Sequence, residues 1–232
     1  MIEFGHGTHV GLRREHNEDT YCAEPDLGLW LVADGMGGHD LGEVASAIAR
    51  DTVVAEFRGG KSLSDSVQAA AQHIVDQSKA RQSAMPMGTT LVASLIKDHQ
   101  YEVAWVGDSR VYLWNGELTQ LTSDHSYVQE LVDQGAISAE QAKTHPHRNV
   151  VTQALGVTEP SSLSVDIVRG QLNTGEMLLL CSDGLTEEVD DEYISHVLQK
   201  NMAPQESVDH LILAALDHGG SDNVTVLLVG DC

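Results

Sequence analysis

Residues 31–39 read Leu31-Val32-Ala33-Asp34-Gly35-Met36-Gly37-Gly38-His39, an apolar segment that runs directly into an acid and a group of glycines. The apolar half is typical of a buried strand. An Asp-Gly pair after a strand is in itself only a turn signal. The meaning of Asp34 therefore depends on whether other acids in the chain occupy the same kind of position.

Four further acids lie beside a small or polar residue at an end of a predicted strand, namely Asp19, Asp108, Asp183 and Asp222. Each of them taken alone could be a turn residue or a helix cap. If the strand ends of one sandwich converge, however, all five acids share a single cleft. Because the chain is poor in Lys and Arg, bound cations are the simplest source of compensating charge.

Carboxylates without Cys or regularly spaced His ligands suit Mg²⁺ or Mn²⁺ better than Zn²⁺. Two such ions that share one carboxylate can polarise a bridging water into hydroxide and stabilise the oxygens of a phosphate ester during hydrolysis. We therefore interpret Asp34 as the bridging ligand of a two-metal site. Arg14 could bind phosphate oxygens through two parallel hydrogen bonds, or it could simply lie on the surface beside Glu15.

Length, charge and cysteine usage limit the class of protein. A chain of 232 residues without a Pro- or Ser-rich linker favours one domain over residues 1–232. The formal net charge of -22 argues against nucleic acid or an anionic membrane surface as a partner. Three widely spaced cysteines predict neither a disulfide framework nor a thiolate zinc site. With no signal-peptide pattern and no membrane-spanning apolar run, we expect a cytoplasmic protein.

Hydrophobic periodicity predicts strands, two helices, more strands, two further helices and a last strand. The predicted strands cover residues 2–10, 20–34, 89–97, 101–107, 109–114, 117–121, 163–169, 176–182 and 223–229. The predicted helices cover residues 42–57, 64–79, 190–200 and 205–217. Because the connections between residues 89 and 121 are short, we expect these strands to be antiparallel neighbours. The order predicts an α+β fold, a sandwich of two mainly antiparallel sheets with helices outside.

The acids and glycines do not match three common site types. The calcium-loop pattern is absent, which argues against an EF-hand. The glycines at 35–38 lack the Lys-Ser/Thr of a phosphate-binding P-loop. Ser182 precedes an acid and does not lie in the glycine pattern of a serine hydrolase.

Eight motifs follow one another along the chain: Arg14-x-x-Asn17-Glu18-Asp19, Val32-Ala33-Asp34-Gly35-Met36-Gly37-Gly38, Gly88-Thr89-Thr90, Gly107-Asp108-Ser109-Arg110, Asp124-His125-Ser126, Val150-Val151-Thr152-Gln153-Ala154-Leu155-Gly156, Ser182-Asp183-Gly184-Leu185 and Ser221-Asp222-Asn223-x-Thr225. In this order they resemble the PPM family of metal-dependent protein serine/threonine phosphatases, in its compact bacterial form. The resemblance implies a four-layer α-β-β-α sandwich with a metal cleft at one edge of the two sheets. It also implies hydrolysis of phosphoserine and phosphothreonine by a hydroxide that bridges two Mn²⁺ or Mg²⁺ ions.

The resemblance also implies a set of metal ligands. Asp34 would bridge the two core ions, and Gly35 would add its backbone carbonyl. Asp183 and Asp222 would complete the shell of the first ion. Asp108 would hold a third, weaker ion together with Asp183, as in bacterial members of the family.

Further residues receive catalytic roles from the same resemblance. Arg14 would bind the substrate phosphate, and Asp19 and Glu18 would act with Asp34 by orienting metal-bound waters. Whether Asp19 binds a metal directly or through water stays open. The polar, short-helical segment at about 124–149 falls where bacterial members carry a mobile flap beside the site.

One position departs from the family pattern. Some members have a His two residues after the bridging Asp, proposed to protonate the leaving alkoxide, and this chain has Met36 there. Either a metal-bound water or His39 could supply the proton, and we favour water.

The resemblance indicates phosphorylated proteins as partners, specifically the substrates of a bacterial serine/threonine kinase, and a monomeric enzyme. The alternative from another class is a non-catalytic module that keeps the fold and binds a phosphorylated partner or a metal. A complete set of acids argues against this alternative.

Overall fold

Two β-sheets pack face to face in the computed structural model, which describes residues 2–37, 41–81 and 86–231. The first sheet has the spatial order β1 (Ile2–His9), β11 (Val224–Asp231), β10 (Met177–Cys181), β7 (Arg110–Trp114) and β8 (Leu118–Gln120). The second has the order β2 (Asp19–Glu24), β3 (Leu29–Met36), β5 (Leu91–Lys97), β6 (Gln100–Val106) and β9 (Asp166–Gln171), with β4 (Gly88–Thr89) paired to β3. Every described strand pair is antiparallel.

Helices cover both outer faces of the sandwich. The second sheet is covered by α1 (Leu41–Arg58) and α2 (Leu63–Ala80), and the first by α6 (Asp191–Leu198) and α7 (Pro204–His218). The predicted α+β class and four-layer α-β-β-α architecture are thus confirmed. Among the described residues, the helices are too short or too polar to cross a membrane.

Strand β3 shows how the sequence produces this layering. Leu29, Leu31 and Ala33 pack with the helical layer of α1 and α2, whereas Trp30 and Val32 belong to the core between the two sheets. Successive side chains of a strand point to opposite faces, so a strand covered on both sides must be apolar at nearly every position. The chain therefore carries a continuous apolar run up to Asp34.

Three expectations about the elements need correction. Residues 20–34 form not one strand but the hairpin β2–β3, whose turn closes with the Gly28 N–H donating to the Pro25 carbonyl at 3.1 Å. The strands between residues 89 and 121 are not all neighbours, because β6 lies in the second sheet and β7 in the first. The strand expected at 163–169 lies at Asp166–Gln171.

The polar segment after β8 forms two short helices, α3 (Tyr127–Asp133) and α4 (Ala139–Lys143), and neither of them buries a side chain. Ser126 caps α3, and Ser138 caps α4 in a capping box with Gln141. These helices agree with the polar, short-helical character expected at about 124–149. The two ends of the segment meet at a β-bridge between Ser126 and Val151.

Candidate metal centre

The five acids converge because strand ends from both sheets meet at one edge of the sandwich. Asp19 begins β2 and lies opposite Asp34 of β3 in the strand register. Asp183 follows β10, and Asp222 precedes β11 of the first sheet. Asp108 lies in the short connection through which the chain passes from β6 to β7. The sequence prediction that these positions share one cleft therefore agrees with the geometry.

Asp34 lies at the centre of the group. Its carboxyl is within hydrogen-bonding reach of both Asp19 and Asp183, while part of the side chain remains open to the cleft. Desolvation, followed by the charges of Asp19, Asp183 and Asp108, holds the pKa of Asp34 well above its ordinary range. Such a carboxylate is strongly disfavoured as an anion unless a cation is added beside it.

The backbone of Asp34 is fixed by two threonines. Its carbonyl accepts hydrogen bonds from the Thr90 N–H and the Thr89 hydroxyl, both at 2.8 Å. Its N–H donates to Thr90 Oγ1 at 3.3 Å. Thr89 and Thr90 thus support the position of the carboxylate through the backbone of Asp34.

Asp19 is held rigidly through one oxygen only. Its Oδ2 accepts from the hydroxyls of Thr225 at 2.7 Å and Ser182 at 2.8 Å. Burial raises the pKa of Asp19 to about 6, although these two hydrogen bonds act in the opposite direction. Its buried Oδ1 has no hydrogen-bond partner within the described part of the chain.

Asp183, like Asp19, has one buried carboxylate oxygen, Oδ1, without a hydrogen-bond donor in the described part of the chain. Burial, with the charges of Asp108, Glu187 and Asp222, holds the pKa of Asp183 well above its usual range. A buried carboxylate oxygen without a donor costs free energy. A divalent cation between these acids would satisfy both oxygens, so the residues present fit a metal centre.

The ligand set is sparse. Within the described ranges, no three His, Cys, Asp or Glu side chains are already arranged around one common point for an ion.

Asp108 lies beside a second ionic group. Burial and then the charge of Asp124 raise the pKa of Asp108 to about 7. Asp124 itself is engaged by Arg110, whose guanidinium donates to it at distances of 2.7, 3.0 and 3.1 Å. This bidentate pair fixes the chain where it leaves the sheet towards α3.

Glu18 and Arg14 lie at the rim of the cleft. The Glu18 carboxylate accepts a backbone hydrogen bond from Gly42 at the start of α1, where a negative charge is favourable. Desolvation nevertheless raises the pKa of Glu18. Arg14 is exposed, and its Nη2 donates to Asp222 Oδ2 at 2.6 Å. Both predicted residues are therefore next to the acids, with Arg14 already neutralising one of them.

Glu187 was missed by the sequence reasoning. It follows Asp183 by one turn, at the end of the unpredicted short helix α5 (Asp183–Thr186), and its charge acts on both Asp183 and Asp108. Desolvation raises its pKa, while the positive charge of Arg148 lowers it. The four-residue spacing from Asp183 was the available signal, since it places both acids on one helix face.

His39, the alternative proton donor, lies outside the described residues.

Gly35 allows an unusually close approach of β3 and α1. An added Cβ would collide with the Gly42 carbonyl and lie 2.6 Å from the Glu18 carbonyl.

We expect Gly35→Ala to lower the free energy of unfolding of the metal-free protein by about 3 kcal/mol or more, because the backbone must move. Urea unfolding checks this. Gly59→Ala, whose added Cβ would be 3.2 Å from its nearest neighbour, is the control, and an equal loss in both variants would contradict the account.

The fold and site together define a metal-dependent hydrolase in which carboxylates from two sheets meet beside an arginine. The protein phosphatase 2C family model matches residues 7–216, and the chain belongs to that family. It is therefore a serine/threonine protein phosphatase that acts on phosphorylated proteins. The predicted family and reaction class are confirmed.

Similar proteins occur in bacteria. The serine/threonine phosphatase stp of Listeria monocytogenes is 39% identical over an alignment of 236 residues, gaps included. The alignment covers 96% of this chain and 93% of that protein. The crystal structure of the serine/threonine phosphatase PstP/Ppp of Mycobacterium tuberculosis has a TM-score of 0.91 and 37% identity, covering 99% of this chain and 98% of that one.

A further solved structure bears on the metal. The catalytic domain of PstP in complex with two manganese ions matches with a TM-score of 0.87 and 35% identity, covering 99% of this chain and 97% of that one. Together with the family, this confirms the predicted use of Mn²⁺ or Mg²⁺.

Proposed function

We propose that this chain hydrolyses phosphoserine and phosphothreonine at a two-metal site in which Asp34 is the shared ligand. The observation that carries the proposal is the pair of buried oxygens, Asp19 Oδ1 and Asp183 Oδ1, which lack partners in the described part of the chain. Both belong to carboxyls within hydrogen-bonding reach of Asp34. Two cations that share Asp34 as a ligand would supply partners for both oxygens.

The ligand roles follow from position. Asp34 would be shared by the two core ions, Gly35 would add its backbone carbonyl, and Asp183 and Asp222 would complete the shell of one ion. Asp19 would bind the other ion directly or through a metal-bound water. When bound, the two ions neutralise the carboxylates and lower the pKa of water so that hydroxide is available near neutral pH.

Outer residues have supporting roles. Asp108, with Asp183, would hold a third, weaker ion. Glu18, whose carboxylate accepts a backbone hydrogen bond from Gly42 at the start of α1, would orient metal-bound water. Arg14 binds the substrate phosphate through its guanidinium, and to do so it exchanges the Asp222 carboxylate for phosphate oxygens. Binding of a cation by Asp222 therefore favours release of Arg14 for the substrate.

Proton delivery to the leaving alkoxide does not depend on a side chain at position 36. Met36 cannot donate a proton. Of the two remaining donors, a water in the cleft and His39, we favour water.

We infer that residues 1–232 form one catalytic domain with a flap at about 124–149. The enzyme acts as a monomer in the cytoplasm on substrates of a bacterial serine/threonine kinase. It uses neither nucleic acid nor a membrane surface, since its net charge of -22 opposes both.

The test uses EDTA-treated protein and a phosphothreonine peptide, with released phosphate measured as Mn²⁺ is added. We expect turnover that depends on Mn²⁺ and stops on chelation. A non-catalytic module predicts the opposite, namely peptide binding without phosphate release at any Mn²⁺ concentration. That outcome would overturn the proposal.

Asp108→Asn separates turnover from stability. We expect kcat to fall by about tenfold or more, because the third ion loses its carboxylate. Metal-free stability at pH 8 should stay the same or rise, since the substitution removes a buried charge facing Asp124. Thermal unfolding and phosphate release measure the two quantities.

Asp98→Asn is the matched control for this variant. Asp98 is exposed on the β5–β6 hairpin with φ of 52°, a conformation that Asn tolerates. It should leave both quantities unchanged. A large loss of stability in Asp108→Asn without loss of kcat would contradict the role of Asp108.

A further inference from the structure

His125 contacts the backbone next to Asp108 from the base of the 124–149 segment. The His125 N–H donates to the Gly107 carbonyl at 2.9 Å, and the Gly107 N–H donates to His125 Nδ1 at 3.2 Å. The imidazole is 10% exposed. One residue thus satisfies both backbone groups of the glycine that precedes Asp108.

The hydrogen bond from the Gly107 N–H to Nδ1 determines the tautomer. Because Nδ1 accepts a hydrogen bond, the ring proton of the neutral imidazole is on Nε2. Nε2 then donates to Asp166 Oδ2 of β9 at 3.3 Å. His125 therefore connects Gly107 to the edge strand β9 through its two ring nitrogens.

The surrounding contacts fix the backbone at and before His125. Trp105 Nε1 donates to the Ser123 carbonyl at 2.9 Å, and the Thr152 N–H donates to the His125 carbonyl at 2.8 Å. On the other side of Asp108, the Ser109 and Thr90 hydroxyls are 2.7 Å apart. Asp108 is thus held between two hydrogen-bonded neighbours.

Gly107 needs this external support. Its φ is +106°, and an added Cβ would lie 2.6 Å from the Thr90 Cβ, so a side chain cannot stabilise the turn. The direction in which Asp108 leaves the backbone consequently depends on the hydrogen bonds of its neighbours.

We propose that His125 is a positioning residue for the phosphatase reaction, whose Nδ1 fixes the Gly107-Asp108 turn and joins it to the base of the flap. The expected effect of His125 on turnover rests on the proposed function. The expected effect of His125 on the base of the flap does not depend on activity.

Two substitutions separate the ring nitrogens. In His125→Asn the side-chain oxygen replaces Nδ1 and can accept from Gly107, whereas in His125→Gln the amide reaches towards Asp166 and leaves the Gly107 N–H without its acceptor. We expect kcat on the phosphothreonine peptide to fall by about ten- to a hundredfold in His125→Gln and by less than about threefold in His125→Asn, with KM changed little in both. Asp166→Asn, which alters the other contact, should resemble His125→Asn.

Limited trypsin digestion of the EDTA-treated proteins provides a second readout, since Lys143 and Arg148 are exposed cleavage sites in the segment. Cleavage should be faster in His125→Gln than in the parent, and unchanged in His125→Asn. If both variants fold, equal kcat values would overturn the inference. If His125→Gln does not fold, a folded His125→Asn that loses more than about tenfold in kcat would still overturn it. An inactive parent would instead count against the proposed function, and the digestion would still test His125.

Discussion

Asp34→Asn is expected to lower kcat/KM for a phosphothreonine peptide at least about a thousandfold with saturating Mn²⁺. Asn keeps the size of the side chain but removes the charge and one acceptor oxygen that two cations would share. Asp34 is the acid reached by both Asp19 and Asp183, so no neighbour replaces it. Phosphate release under single-turnover conditions measures the effect on chemistry.

The same variant should have an opposite effect on the metal-free protein. Desolvation and three neighbouring acids make the Asp34 carboxylate unfavourable. The metal-free variant should therefore melt at the parent temperature or higher at pH 8, and it should lose most of the Mn²⁺ response. Asp98→Asn serves again as the control. A strongly destabilised metal-free variant would mean that Asp34 acts through packing.

Mn²⁺ is expected to raise the melting temperature of the EDTA-treated protein by about 5–10 °C at a hundredfold excess over its dissociation constant. The cation binds the folded state and not the dispersed acids of the unfolded chain. Differential scanning calorimetry over a range of Mn²⁺ concentrations measures the shift. Identical curves in EDTA and Mn²⁺ would exclude a metal site.

The size of this shift should depend on pH. The folded-state pKa values of Asp19, about 6, and Asp108, about 7, lie above those of unfolded Asp. Between about pH 4 and 7 the metal-free folded state therefore holds more protons than the unfolded state, and its stability falls as pH rises. Mn²⁺ displaces these protons, so the gap between the two melting temperatures should widen from pH 6 to 8. A constant gap would contradict this linkage.

The layers of the fold were predictable because apolar periodicity reports burial directly. The β2–β3 hairpin was missed although Pro25 and Gly28 are turn signals, and Gly28 has φ of +65°. The passage from β6 to β7 was not predictable, because a short connection normally joins neighbours in one sheet. Here Gly107 directs the chain into the other sheet.

The acids of the site could be located from their positions at strand ends, but their neighbours could not. The pairing of Asp124 with Arg110 and the two hydroxyls on Asp19 depend on strands brought together by the tertiary fold. His125 stood within a recognised motif, yet its contact with Gly107 requires the passage between the sheets. Residue type was therefore available from the sequence, whereas the partner of each residue was not.

Calorimetric titration of Mn²⁺ into the EDTA-treated protein tests the shared-ligand claim most directly. We expect at least two ions to bind per parent chain, as in a two-metal site, and binding of the core ions to be lost together in Asp34→Asn. A parent chain that binds no ion, or an Asp34→Asn variant that binds Mn²⁺ with parental stoichiometry and affinity, would contradict the account.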